Sequence, residues 1–189
     1  MSSSGKSEKQ KMLSGELYLA NDPELAADYS RAQAILAEFN ATRGDDMAGL
    51  TELLRRLLGH LGRDAIIKPS LRCDYGFNIS VGARTFINYD CVFLDCNRIT
   101  IGEEVQIAPG VHIYTATHPL DAETRRSGLE SAQPVAISDG VWVGGRSVVC
   151  PGVTIGENTV VGAGSVVTKD LPPNVLAAGS PCRVIRQLQ

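Results

Sequence analysis

Residues 135–170 read VAISDGVWVGGRSVVCPGVTIGENTVVGAGSVVTKD, and this stretch decides the fold. Taken in sixes, an aliphatic residue falls at Ile137, Val143, Val149, Ile155, Val161 and Val167. Two places before each of the last five stands a small or β-branched residue: Val141, Ser147, Val153, Thr159 and Ser165. A period of six fits no α-helix, but it is three strand steps. Repeats this short bury their apolar face only against their neighbours, so the pattern predicts a solenoid. Six residues make one flat side and a corner, and three sixes make one coil of a triangular prism.

The pleat then assigns directions. Positions 141 and 143 point inward, so 142 points outward, and the outward set is Trp142, Val148, Thr154, Val160 and Val166. That set is too apolar for a fully solvated wall and predicts that one wall is covered by another subunit. Trp142 is the only Trp of the chain, and it lies on this outer face, where core packing does not explain it.

Upstream, the beat starts at Val81-Gly82 and runs through Ile87, Phe93 and Ile99. It returns two residues out of phase at Ile101-Gly102, so an outward-bulging insertion is expected around Asp95-Cys96-Asn97-Arg98. The beat fails again over residues 114–134, a polar loop with Pro119, Gly128 and Pro134. A long loop inside a regular solenoid is usually functional.

The N-terminal third reads as helical. Residues 1–10 are polar, with no fixed structure expected at the tip, and a short helix is expected from Lys11 towards Tyr18, ending near Gly15. Asn21-Asp22-Pro23-Glu24 is a helix start, with a capping side chain, Pro in the first turn and an acid at the positive end of the dipole. That helix runs to about Asn40. Another follows Gly44-Asp45-Asp46, with Leu50, Leu53, Leu54, Leu57, Leu58 and Leu61 at helical spacing. Two amphipathic helices must pack on something, and a cap over the solenoid end is expected. The organisation is therefore a helical cap over 1–64, a solenoid over 65–171 interrupted by the loop 114–134, and a tail over 172–189 leaving the solenoid and lying along it.

The chain has 189 residues, 43% apolar and 21% charged, with a net charge of −3. This supports a sizeable core and argues against non-specific nucleic-acid binding. No apolar run is long enough to span a membrane, the opening MSSSGKSEKQ has no apolar signal core, and a cytoplasmic location is expected. The five Cys follow no framework spacing and read as reduced wall residues. Phosphate-cradling glycine motifs and a Gly-x-Ser-x-Gly elbow are absent.

Three histidines remain as candidates. His60 reads as a late helix residue and His112 as an outward wall residue at a subunit contact. His118 opens the loop in a Thr-Ala-Thr-His-Pro setting, and an imidazole, with an ordinary pKa of about 6.5, can take a proton near neutral pH. Lys169, Arg183 and Arg186 gather late in an acidic chain and suggest a site for an anionic ligand.

Longer segments resemble the hexapeptide-repeat acetyltransferases, in the branch of maltose and galactoside O-acetyltransferases. They are KMLSGELY at 11–18, CDYGFNI at 73–79, INYDCVFLD at 87–95, APGVHIYTATHPLDAETR at 108–125, VWVGGRSVVCPGVTIG at 141–156 and VVTKDLPPN with AAGSPCRVI at 166–185. The resemblance implies a left-handed parallel β-helix assembled as a homotrimer, with active sites between subunits. It implies acetyl-CoA as donor, a maltose- or glucose-like acceptor and no metal. His118 would be the general base. Asn88, Asp95 and Asp74 would meet the acceptor. Trp142, the Gly145 amide, Ala163, Thr168, Lys169, Arg183 and Arg186 would meet the cofactor. One departure stands out: Leu19 and Ala20 occupy the region where some relatives place a sugar-binding Asp. Two other readings fit the same solenoid: a metal hydratase resembling the γ-type carbonic anhydrases, which needs three His ligands, and a non-catalytic scaffold.

Overall fold

A computed structural model describes residues 5–189. Where the beat predicts walls, three parallel sheets run the length of a solenoid of about 6 turns. The first wall is built from His60–Leu61, Ile79–Val81, Ile99–Ile101, Val135–Ile137 and Thr154–Ile155. The second takes Ile66–Ile67, Phe86–Ile87, Gln106–Ile107, Trp142–Val143, Val160–Val161 and Val175–Gly179. The third takes Leu71–Cys73, Cys91–Leu94, His112–Tyr114, Val148–Val149 and Val166–Val167.

The six-residue positions do what the pleat requires. Ile137, Val143, Val149, Ile155, Val161 and Val167 are all buried, and each fully buried aliphatic side chain contributes about 1.5–3 kcal/mol. The small polar residues two places earlier are also buried and tie the corners. Ser147 Oγ donates to Gly162 O at 3.1 Å, and Thr159 Oγ1 to Pro172 O at 2.7 Å. A hydroxyl is the right group there because a turning backbone leaves a carbonyl unpaired.

The helices seal the first coil. Helix α1 spans Glu8–Ser14, α2 Pro23–Ala41 and α3 Met47–Leu57. Asp22 caps α2 as its side chain predicts, accepting from Glu24 N at 2.9 Å. Leu36, Phe39, Leu50 and Leu54 join one core with Ile67 and Leu71 of the first coil. Asn40 closes the exposed strand edge: its amide donates to Leu71 O and its carbonyl accepts from Leu71 N, both at 2.9 Å.

Four expectations change. Helix α1 begins at Glu8, inside the polar opening; the expectation for the tip falls on residues 1–4, outside the described residues. It also packs on a side corner, in a second core of Met12, Tyr18, Leu25, Tyr75, Cys96 and Ala132, rather than over the end. Helix α3 stops at Leu57, because Gly59 must approach Phe77 O closely, so His60 starts the first wall instead of ending a helix. The tail does not leave the solenoid: Val175–Gly179 extends the second wall, and Cys182–Gln187 folds back antiparallel on it. Among the described residues, no helix is long and apolar enough to cross a membrane.

Candidate active site

Register shows where the coils differ. Ile137 pairs with Ile155, a coil of eighteen residues, whereas Ile79 pairs with Ile99, a coil of twenty. His112 pairs with Val148 across the long loop. The extra residues all enter at the corner between the third and first walls: at 74–78, at 95–98 and at 115–134. Only the second of the two short insertions is legible from the phase slip; the first hides in the irregular CDYGFN run.

The long loop is itself ordered. Ala116–Thr117 pairs antiparallel with Leu129–Ala132, and a short helix α4, Ala122–Arg126, crosses the tip. Tyr18–Leu19 adds a third strand, with Tyr18 opposite Glu130 and its hydroxyl donating to Glu130 Oε2 at 3.2 Å. His118 follows Thr117 directly and is exposed.

At the same corner the two short insertions stack through polar groups. Asp95 is fully buried; its Oδ1 accepts from Asp74 N and Tyr75 N, both at 2.9 Å, while Oδ2 has no protein partner. Burial, with a smaller push from the Asp74 charge, raises its carboxyl to about 7, and the Tyr75 and Asp74 N–H groups oppose that rise. Asp95 thus lies inside the corner and holds the Asp74–Tyr75 turn, rather than presenting oxygens to an acceptor. Asp74 is the partly exposed carboxyl here; burial raises it, the Cys96 thiol donating at 3.5 Å opposes that, and the Glu130 charge adds to it.

Asn88 and Trp142 sit elsewhere. Trp142 belongs to the second wall and Asn88 directly follows its strand Phe86–Ile87; together they line a small cavity of 130 Å³ with Phe86, Gln106, Ile107 and Ala108. Asn88 Oδ1 accepts from Tyr89 N at 2.8 Å, and Trp142 is 53% exposed. In a triangular prism the second wall lies opposite the corner that carries His118. One chain therefore carries His118 and Asp74 on insertions at the same corner and holds Asn88 and Trp142 away from that corner.

The remaining predicted residues run along the solenoid. Gly145 and Ala163 stack at the corner between the second and third walls, where Gly164 N donates to Gly145 O at 2.9 Å. Gly144 N donates to Val161 O at 2.8 Å and Arg146 N to Pro109 O at 3.0 Å; the Gly145 N–H between them meets no backbone carbonyl among the described residues. Lys169 and Arg183 line a 290 Å³ cavity with Asp170, Leu171, Cys182 and Val184. Thr168 is exposed beside it, and Arg186 stands further along the final strand, exposed, with Nη1 donating to Gln187 O at 3.2 Å. His112 points outward on the third wall, its Nδ1 2.5 Å from the Tyr114 hydroxyl.

All five thiols are free, and burial pushes each one up, Cys91 to about 11. None is disposed to act as a thiolate nucleophile. Among the described residues no three His, Cys, Asp or Glu side chains group as a metal site; the histidines stand on the first wall, the third wall and the loop.

Against known proteins, residues 11–62 match the maltose acetyltransferase hexapeptide capping motif, and residues 134–169 match the bacterial transferase hexapeptide (six repeats). The crystal structure of a maltose O-acetyltransferase from Clostridium difficile 630 superposes with a TM-score of 0.96 at 49% identity, covering 97% of this chain and 98% of that one. The chain belongs to the hexapeptide-repeat acetyltransferases. A second acetyltransferase of this family, from Vibrio cholerae O1 biovar eltor and complexed with acetyl coenzyme A, superposes with a TM-score of 0.91 at 41% identity, over 97% of this chain and all 100% of that one. The galactoside O-acetyltransferase of Escherichia coli K12 is 37% identical over 95% of this chain and 88% of its own length. This acetyltransferase therefore sits in the maltose and galactoside branch.

Proposed function

We propose that the protein transfers an acetyl group from acetyl-CoA to a hydroxyl of a maltose- or glucose-like sugar, in a homotrimer whose sites lie between subunits. The observation that carries this reading is the placement of His118: an exposed imidazole at the end of a braced hairpin, on the corner whose other insertions carry Asp74 and Asp95, in a chain of this family. A sugar hydroxyl is a poor nucleophile at neutral pH. His118 would take its proton as the oxygen attacks the thioester carbonyl carbon. The Gly145 N–H, unspent on backbone, would donate to the oxyanion. The carbon–sulfur bond then breaks, and the imidazolium returns the proton to the departing thiolate. With every thiol held protonated by burial, transfer would be direct, without an acyl-enzyme.

The same reading divides the labour between subunits. His118 and Asp74 of one copy would face Asn88 and Trp142 of the next, since a single chain holds the two pairs apart. Asp95 would serve the acceptor indirectly, through the turn it holds. Lys169 and Arg183, paired in one cavity, would meet the CoA phosphates, with Ala163, Thr168 and Arg186 along the same track. The interior of a cell, where acetyl-CoA is available, would be its place of work.

The test is release of CoA thiol with maltose or glucose as acceptor. His118→Ala should lower turnover about 10²–10⁴-fold with its fold intact. Near-normal turnover in that variant would overturn the assignment.

A further inference from the structure

Asn97 sits where the three insertions meet. It is 2% exposed, and its main-chain N–H and both side-chain polar atoms are hydrogen-bonded. Its side-chain nitrogen donates to Ala132 O at 3.0 Å, Met12 O at 3.2 Å and Leu13 O at 3.4 Å. Its side-chain oxygen accepts from Arg98 N at 2.8 Å, and its own N–H donates to Thr115 Oγ1 at 2.9 Å. Met12 and Leu13 lie in the last turn of α1, where carbonyls lack i+4 helical partners; Met12 O also accepts from the Gly15 N–H at 3.3 Å. Ala132 lies in the return strand of the loop and pairs with Ala116, two residues before His118. Thr115, which Asn97 also holds, is three residues before it.

Both ends of the His118 hairpin are therefore anchored to one buried residue, the return strand by the Asn97 side chain and Thr115 by the Asn97 main-chain N–H. The hairpin leaves the solenoid at Thr115 and re-enters past Ala132, and Gln133 N donates to Thr115 O at 2.8 Å to close it. The Asn97 side chain ties that closure to α1 by hydrogen bonds, beside the packing of Met12 on Ala132, and α1 leads through Gly15 into Tyr18–Leu19, the strand that braces the hairpin's other side. An amide suits this position because its two N–H groups serve carbonyls from two separate segments while its oxygen holds its own loop. A carboxylate there would face three carbonyl oxygens.

We propose that the Asn97 side chain is a positioning group: through Ala132 it sets the return strand of the hairpin, and with it the place of His118 at this corner. This rests on the His118 reading above. Asn97 touches no reacting group, so its loss misplaces the base without removing it. A misplacement of about 1 Å can cost about 10²-fold in rate.

The experiment compares the full-length wild type with Asn97→Ala, Asn97→Ser and His118→Ala. Turnover and KM for acetyl-CoA are measured, together with the histidine C2–H resonances; the chain has 3 His, and His118→Ala identifies the relevant signal. Asn97→Ala should lower kcat about 10–100-fold, leave KM for acetyl-CoA within about twofold, and move the His118 resonance alone. Asn97→Ser, keeping one donor, should recover part of the rate. A folded Asn97→Ala with wild-type kcat and an unmoved His118 signal overturns the proposal. If Asn97→Ala does not fold, the same result in Asn97→Ser overturns it. Failure of the underlying reading looks different: His118→Ala then keeps its turnover, and the resonance arm still decides whether Asn97 sets the loop.

Discussion

Asp95 brings an ionisable carboxyl into a corner that excludes solvent and leaves one oxygen without a protein partner. Its folded-state pKa of about 7 lies above that of an exposed Asp, about 3.9. The native state therefore holds a proton that the unfolded chain has released between those values. Stability from this group is complete below the lower value and is lost as pH rises through the upper one. Asp95→Asn keeps an oxygen for the Asp74 and Tyr75 N–H groups and removes the titration. Thermal midpoints should fall for the wild type from pH 5 to 8 more steeply than for Asp95→Asn. Parallel profiles would show that the carboxyl is already ionised, or neutral, throughout that range.

Neighbouring coils approach so closely at the corners that side chains are excluded from particular positions. A Cβ on Gly82 would stand 2.4 Å from the carbonyl carbon and oxygen of Gly102 in the next coil, and both are backbone atoms that cannot swing away. Gly82→Ala should therefore cost about 1–3 kcal/mol or more, read as a lower urea midpoint at unchanged slope. A midpoint equal to wild type would mean that the coils separate freely. The third residue of several turns takes a left-handed conformation without being glycine. Arg84, at φ 56°, is one; its guanidinium lies 2.8 Å from carboxylates of both Glu103 and Glu104 across the coil boundary. Exposed pairs of this kind contribute little, so the stacking of coils rests on the buried aliphatic columns.

The whole molecule is asymmetric in the chemistry of its walls. The first wall points Ser80, Thr100, Ala136 and Thr154 outward. The second points Phe86, Gln106, Trp142, Val160 and Leu176 outward, and the third Arg72, Val92, His112, Val148 and Val166. The later coils of these two adjacent walls are apolar, Trp142, Val160 and Leu176 on one and Val148 and Val166 on the other, and suit a closed ring in which the second wall of each copy meets the third wall of the next. Such a ring would bring His118 of one copy towards Asn88 of another. Val148→Glu, on the third wall and away from the proposed reacting groups, should give a folded monomer by sedimentation, with CoA release lost and Trp142 fluorescence shifted to the red. A folded monomer with full turnover would show that one chain suffices.

Much of this is legible in the residues themselves, for a physical reason. The six-residue beat is a local consequence of the pleat, so the inward columns, the outward Trp142 and the break at His118 can be read without knowing what lies next to them. The Asp22-Pro23 helix start and the clustered Lys169 and Arg183 are equally local. The ending of α3 at Leu57 is not, because leucine spacing continues to Leu61 while the close approach of Gly59 to the next coil ends the helix. Nor is the burial of Asp95, which depends on two insertions from different coils meeting at one corner. The brace on His118 is the furthest from sequence: Tyr18 and Glu130 stand 112 residues apart, and Asn97 joins segments that share no periodicity. Periodicity by itself determines a solenoid and the direction of each wall residue, since those follow from bond geometry over six residues. Tertiary structure decides which departures from the beat share a corner and how His118 is held there, since those follow from packing between segments far apart in the chain.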